Sequence, residues 1–547
     1  MQTYVEPPLT AAEREILARH FTSLDGPVAA LTGLPEATKA ALFARYSRTQ
    51  KPLKRVFLDE FAGGGGQPGA GEPGSDGTAG LERAADLFSR VLSEYGDDSV
   101  AQLACVHVSC EQVSNLLTKV LERGRLMGYL EQSTRYVFYG DAPEGRHRWY
   151  RDPELLAGPH GEAYVLAMEG LFTAYARVFE AVHAIFLAGV PPDDAARRRA
   201  ARAAALDVAR GLLPAGTISN VGIAASPQAY EALVLRMRAH PLPEARAYAE
   251  LLLAELRKVI PDFLTRLDRP ERGGVWVEYL QTRGAGLAEA ARELDREARN
   301  KAVVAGPALA GEIALAGPRQ AAVRLLRWTQ DAEREVAANA LYAASRRPLD
   351  EIRAQVRQLP IEEVARLFRL SAGDRRNRRH RPGREWEAAE YEFEVVSDYG
   401  AFRDLQRHRM LTIEWQRLSP DLGYEIPAEA REARVADVWR EAVERAETAY
   451  AQIAPTAPAQ ASYLVTMAHR VRYLMRMNAR EAMHVIELRS SPQGHASYRR
   501  VAQEMYQLIR DVAGHRLIAE AIEFVNREDV HLGRLDAERR AEAGGKP

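Results

Sequence analysis

One basic signature occurs twice in this 547-residue chain, and any fold it adopts has to position both copies. Arg123-Gly124-Arg125 is followed by Glu131-Gln132-Ser133-Thr134-Arg135-Tyr136. Arg407-His408-Arg409 is followed by Trp415-Gln416-Arg417-Leu418-Ser419. A β-rich stretch (103–110 and 391–396) and then a helical segment precede each Arg-x-Arg pair, so the order of elements repeats along with the residues. Further echoes keep that order. Ala41–Ala44 (ALFA) matches Ala340–Ala343 (ALYA) upstream, and Leu233–Arg236 (LVLR) matches Ile486–Arg489 (IELR) downstream. Glycine and alanine thin the pattern over Gly284–Gly317, which sets expected domains of 1–300 and 301–547.

The expected fold class is α+β, helix-rich with small antiparallel sheets. Helical periodicity covers 10–20, 36–61, 81–95, 111–126, 162–187, 193–212 and 244–267, then 318–346, 427–453, 460–490 and 497–526. Residues 133–139 (STRYVFY) read as a strand. The stretch 62–80 has no apolar residue larger than alanine and is expected to be a disordered loop. No Gly-Lys-Ser/Thr follows it, so a phosphate-cradling loop is not expected there.

Composition narrows the function classes. With a net charge of -1 and a pI near 6.9, no global field draws the chain to nucleic acid or an anionic membrane. Two cysteines, Cys105 and Cys110, do not make a disulfide framework. The first residues lack a basic region followed by an apolar run, and no stretch approaches ~18 apolar residues. The expectation is a soluble cytoplasmic protein.

Three constellations carry chemistry. If 131–139 is extended, Glu131, Ser133 and Arg135 share one face, a row suited to a phosphate and the polar edges of a nucleotide, or simply a solvated strand face. In the segment 478–489, Asn478 and Arg489 lie along one line of a helix, flanked by Ala482, Val485 and Ile486. Such groups need an acceptor, either a ligand or a structural carboxylate. Arg480 and His484 form a separate stripe. Arg407-His408-Arg409 ends a helix opened by Ser397-Asp398, and taken alone it is a surface basic cluster.

Together these motifs resemble the flavin-dependent thymidylate synthases, in content and order, over most of the chain. The resemblance implies two such domains in tandem. It also implies FAD as cofactor, with dUMP, methylenetetrahydrofolate and NADPH as partners, and a homodimer that imitates a tetramer of single domains. It assigns Glu131, Ser133, Arg135 and Arg489 to dUMP, with Arg489 and Ser133 in catalytic roles. Arg123, Arg125, Asn478, Arg480, His484, Arg407, His408 and Arg409 are assigned to the flavin. No metal is implied.

Each copy departs from the pattern in a different place. Gly124 replaces a histidine, and Trp415 and Arg417 replace the glutamate and serine. Arg236 is kept in the first half, while Ala225 and Pro227 stand opposite Asn478 and Arg480. A site joining Glu131, Ser133 and Arg135 to Asn478, Arg480 and Arg489 would lack only the histidine. Two other readings stand beside a working synthase. One is a degenerate homologue that binds nucleotide or flavin without making thymidylate. The other is a nucleic-acid-binding protein using Arg375–Arg381, Arg384 and Trp386.

Overall fold

A computed structural model describes residues 8–62 apart from 26 and 48, then 102–305, 321–528, and positions 535, 538 and 539. The side chains of 298–305 are not included. The Gly-rich stretch beyond residue 62 and the helix expected over 81–95 lie outside the described residues. The chain divides into two compact units. The first holds Met1–Glu111, Leu126–Glu131 and Asn220–Val304; the second holds Gln112–Arg125, Gln132–Ser219 and Ala305–Pro547.

The architecture is a helix-rich α+β fold with two small antiparallel sheets. Strands β1 (Val106–Ser114), β2 (Met127–Glu131) and β3 (Ile218–Ala225) lie in the order β1-β3-β2. Strands β4 (Ala322–Trp328), β5 (Glu390–Asp398), β6 (Thr412–Trp415) and β7 (Arg470–Asn478) lie in the order β4-β5-β7-β6. Leaving β4 aside, the two sheets repeat one topology. Each repeat runs strand, side-chain cap, short helix, Arg-x-Arg, strand. Ser114 caps the Asn115–Leu121 helix by accepting from the Leu117 N–H, and Asp398 caps Tyr399–Leu405 by accepting from the Ala401 N–H.

Strand β7 corrects the helical reading of the sequence, and β3 falls in a span for which no element was expected. Residues 460–490 were expected to be continuous helix, yet the middle of that span is the strand β7, hydrogen-bonded on both sides. Its residues alternate: Val471, Tyr473, Met475 and Met477 are buried, while Leu474 and Arg476 are exposed. That period of two is present in the sequence. It lost to the helical pattern because Leu, Met and Arg, which suit helices, fill most of its positions. The helix expected over 318–346 begins instead with β4. The one expected over 111–126 shrinks to Asn115–Leu121. Residues 133–139 are not a strand: β2 ends at Glu131, and the Tyr136 and Val137 N–H groups turn back onto the Ser133 carbonyl. A helix runs over Val275–Ala305, through Gly284, where the pattern was expected to thin.

In the first unit, Leu17, Phe21, Leu42, Val56 and Phe57 form a small core. In the second, the helix Gly161–Leu187 packs against Ala195–Ala209 and Ala436–Ile453. This helix is long and apolar enough to cross a membrane by length and composition, which the sequence reading overlooked. Tyr164, Met168, Leu171, Phe172, Tyr175 and Val182 lie along it and are buried in the protein core.

Equivalent segments of the two repeats pair with one another inside the second unit. Pro214 and Thr466 form an antiparallel bridge. Around it the Ala215 N–H donates to the Val465 carbonyl and the Met467 N–H to the Leu213 carbonyl, both at 2.8–2.9 Å. Each residue meets its partner's counterpart, as at a two-fold contact between identical subunits.

Candidate functional site

Asp404 is the centre of a buried charge network in the second unit. It sits on the Tyr399–Leu405 helix, three residues before Arg407. Arg407 and Arg489 approach its carboxylate to 3.7 Å and Arg210 to 3.8 Å. None of these is a tight hydrogen bond. Burial alone would raise this carboxyl, but Arg407, Arg489, Arg210 and Arg135 together hold it well below the usual carboxylate range. Asp398 is half-buried beside Arg210 and is pushed up to about 6, first by desolvation. Ser497 Oγ donates to it. Arg407, Arg489 and Arg210 thus gather around Asp404, with Asp398 beside Arg210. The Arg210 Nη2 makes no hydrogen bond to any described residue. A buried guanidinium donor without a protein acceptor is one an oxyanion can satisfy.

Arg135 and Arg489, placed together from opposite halves by the sequence, do meet. They stand 5.7 and 5.6 Å from the Tyr498 ring. Arg135 is heavily engaged. It donates to both carboxylate oxygens of Asp207 at 2.7 Å, to the Tyr498 hydroxyl at 2.8 Å and to the Gln493 carbonyl at 3.0 Å. Ser133 Oγ accepts from the Arg135 N–H at 3.2 Å, so the two belong to one turn rather than one strand face. Glu131 is buried at the end of β2, in the first unit. His495 lies beneath this pair, its Nδ1 accepting from the Ser497 N–H and its Nε2 near the Asp207 carbonyl. Burial, with Arg210 adding to it, drives its pKa down to about 3.

The Ala479–Arg489 helix presents the remaining residues. Asn478 does not share the helical line with Arg489 as a ligand group. It is the N-cap, its Oδ1 accepting from the Glu481 N–H at 2.9 Å. The first half has Ser226 as the equivalent cap of Pro227–Arg238. Counting from the two caps corrects the register: Ser226 and Gln228 stand opposite Asn478 and Arg480, and Met237, not Arg236, opposite Arg489. Arg480 Nε donates to the Pro382 carbonyl at 2.9 Å. Arg489 Nε donates to His408 Nε2 at 2.9 Å, and His408 Nδ1 lies 3.1 Å from Glu481. Arg381 Nη2 lies 2.9 Å from His484 Nδ1. Burial, reinforced by neighbouring guanidiniums, keeps His408 well below its ordinary pKa and lowers His484 to about 4.

Both Arg-x-Arg segments line one cavity of about 100 Å3 with Glu122, Gln406, Thr412 and Glu414. His408 and Arg409 come from the second copy, Arg123 and Arg125 from the first. Arg123 makes two hydrogen bonds to Glu414, at 2.6 and 2.8 Å, and lies 5.0 Å over the Trp415 ring. Arg125 donates to Thr412 Oγ1 at 2.8 Å. Trp415, standing where a glutamate was expected, thus faces an arginine of the other copy.

The basic run does not form an open nucleic-acid arm throughout. Arg375 is buried, with two hydrogen bonds to Glu487 at 2.7 Å and one to the Ala521 carbonyl at 2.6 Å. Trp386 is fully buried and donates to Ser371, so it offers no face for a base to stack on. Sequence reasoning missed Asp207, Arg210, Asp404, Glu481, His495 and Tyr498. Asp404 alone had a visible signal, one helical turn before Arg407.

The fold and this locus define a protein of internally repeated α+β architecture, with an arginine-rich centre built from both repeats. Comparison with known sequences gives the family. The profile of the thymidylate synthase complementing proteins matches residues 41–262 and 324–514, and the chain belongs to that family. It is 35% identical to a UPF0159 protein of Chlamydia muridarum, over 98% of this chain and 99% of that one. It is 30% identical to a UPF0159 protein of Thermoplasma acidophilum, over 93% and 99%. A crystal structure of thymidylate synthase X from Helicobacter pylori with FAD and dUMP matches over 37% of this chain and all of that one. Identity there is 15% and the TM-score 0.28.

Proposed function

We propose that the chain is a flavin-dependent enzyme of the thymidylate synthase type, methylating dUMP reductively to dTMP with methylenetetrahydrofolate and NADPH in the cytoplasm. The observation that carries the reading is the gathering of Arg210, Arg407 and Arg489 around Asp404, with the Arg210 Nη2 making no hydrogen bond to any described residue. A nucleotide monophosphate would offer phosphate oxygens to these guanidiniums. Arg489 donates through Nε to His408 and turns Nη1 toward Asp404 at 3.7 Å, and its Nη2 would donate to a pyrimidine carbonyl and favour negative charge there as the base is reduced. Ser133 and Arg135 hold the ligand from the first repeat.

The cavity between the Arg-x-Arg segments is the place FAD would enter. Its guanidiniums suit phosphate oxygens. At about 100 Å3, however, it lies below the ~300–1,000 Å3 typical of ligand pockets. Arg123, Arg125, Arg409 and His408 would therefore hold only the phosphate end or one edge of the cofactor, and a second copy of the chain would complete the site. Bound FAD would supply the hydride.

The visible spectrum of purified protein with added FAD, before and after dUMP, tests this. Bands that survive desalting and shift with dUMP are expected. Absence of retained flavin would remove the synthase reading. One observation favours the degenerate homologue as the second reading: Arg135 and Arg123 already have carboxylate partners in Asp207 and Glu414. dTMP formation separates the two.

A further inference from the structure

Glu481, His408 and His484 present the donor types of a metal site, their ligand atoms all within 4.8 Å of one another. The hydrogen bonds around them point elsewhere. An arginine Nε always carries its proton, so the 2.9 Å contact from Arg489 makes His408 Nε2 the acceptor. A neutral His408 must then carry its hydrogen on Nδ1, which faces Glu481 at 3.1 Å. The second guanidinium, Arg381, meets His484 Nδ1 at 2.9 Å. Two guanidiniums thus already engage imidazole nitrogens that a metal ion would need. What remains is a directed chain: carboxylate, imidazole, guanidinium.

We propose that Glu481 is a positioning residue. It accepts from His408 Nδ1–H, fixes that tautomer, and so makes His408 Nε2 the acceptor that orients Arg489 toward the nucleotide. This rests on the proposed role of Arg489. The geometry supports the order of action. Glu481 and His408 are both buried, and Glu481 lies on the first turn of the same helix that ends in Arg489. The helix fixes the Arg489 backbone, the His408 contact holds its Nε, and Asp404 and the Tyr498 ring lie against the rest of the guanidinium. Without an acceptor at Nδ1, the imidazole can move its hydrogen to Nε2, which would then confront the Arg489 N–H with another donor.

Two variants of the full chain, Glu481→Gln and Glu481→Ala, test the relay. Glutamine keeps an acceptor oxygen at the same reach, whereas alanine removes it. Nitrogen-15 NMR of histidine-labelled protein reports which His408 nitrogen carries the hydrogen, and dUMP affinity is measured by calorimetry. The expected result is an Nδ1 hydrogen in the parent and Glu481→Gln, lost in Glu481→Ala. Glu481→Gln should bind dUMP nearly as the parent does, and Glu481→Ala about tenfold more weakly, the loss of one oriented contact. A parent tautomer with Nε2–H, or an unchanged Nδ1–H in Glu481→Ala, overturns the relay. So does equal loss of dUMP affinity in both variants, which would mark Glu481 as merely structural. If the parent binds no dUMP, the synthase reading fails, while the tautomer comparison still decides the relay.

Discussion

Replacing Asp404 by asparagine keeps shape and hydrogen-bonding capacity but removes the charge that three guanidiniums share. At separations of 3.7–3.8 Å and an effective dielectric near 20, each pair is worth roughly 4–5 kcal/mol before desolvation. Most of that gross attraction is offset by the cost of burying the carboxylate. What survives is the penalty for leaving buried cations uncompensated, about 3–5 kcal/mol. Urea unfolding followed by tryptophan fluorescence should therefore show Asp404→Asn destabilised by that amount at pH 7. Two controls tie the loss to charge. The Asp404 carboxyl is depressed in the folded state. Its contribution is therefore complete above the unfolded value of ~3.9 and fades as pH falls toward the lower folded value. The gap between parent and variant should narrow over that acid range. Inorganic phosphate should restore more stability to the variant than to the parent, since it replaces the missing anion. A change below about 1 kcal/mol, or a gap that phosphate leaves untouched, would refute the account of this centre.

Other outcomes follow from the same structure. His495 is half-buried with its pKa lowered to about 3, so unfolding takes up a proton between the unfolded ~6.5 and that value. Its share of stability should fall by about 2 kcal/mol between pH 6.5 and 5 and be absent from the slope in His495→Gln, measured by chemical denaturation across that range. The Arg375–Glu487 pair, with side chains only 1% and 2% exposed, should cost about 3–5 kcal/mol when broken by Glu487→Gln, seen as a lowered unfolding midpoint. Leu171 lies on the helix that could cross a membrane by composition but is fully buried. Leu171→Ala should cost about 2–5 kcal/mol of stability in detergent-free buffer; no loss would mean the helix is not core.

Much of the site was legible because its chemistry is local. The Arg-x-Arg pairs, the cap at Asp398 and the polar residues of 478–489 are adjacent in sequence, and a capped helix or a strand of fixed period brings them to predictable places. The strands β3 and β7 were not read correctly, since Leu, Met and Arg made β7 look helical and β3 carries the weakly patterned ISNVGIAA. Their burial between neighbouring strands overrode local propensity. The segment 133–139 failed for another reason. Its β-rich composition was real, but the backbone turns at Ser133, so Ser133 and Arg135 share a turn rather than a face.

What the sequence determined by itself was the duplication, the family and the residue types that could meet an anion, because a repeated order of motifs survives however the chain is packed. Only the tertiary structure decided which of those groups are held by the protein's own carboxylates. Asp207, Asp404 and Glu481 lie far in sequence from the arginines and histidine they engage, with the exception of Asp404 and Arg407. A guanidinium's charge is written in the chain, but its partner depends on which distant carboxylate shares its low-dielectric surroundings. That choice is made by packing.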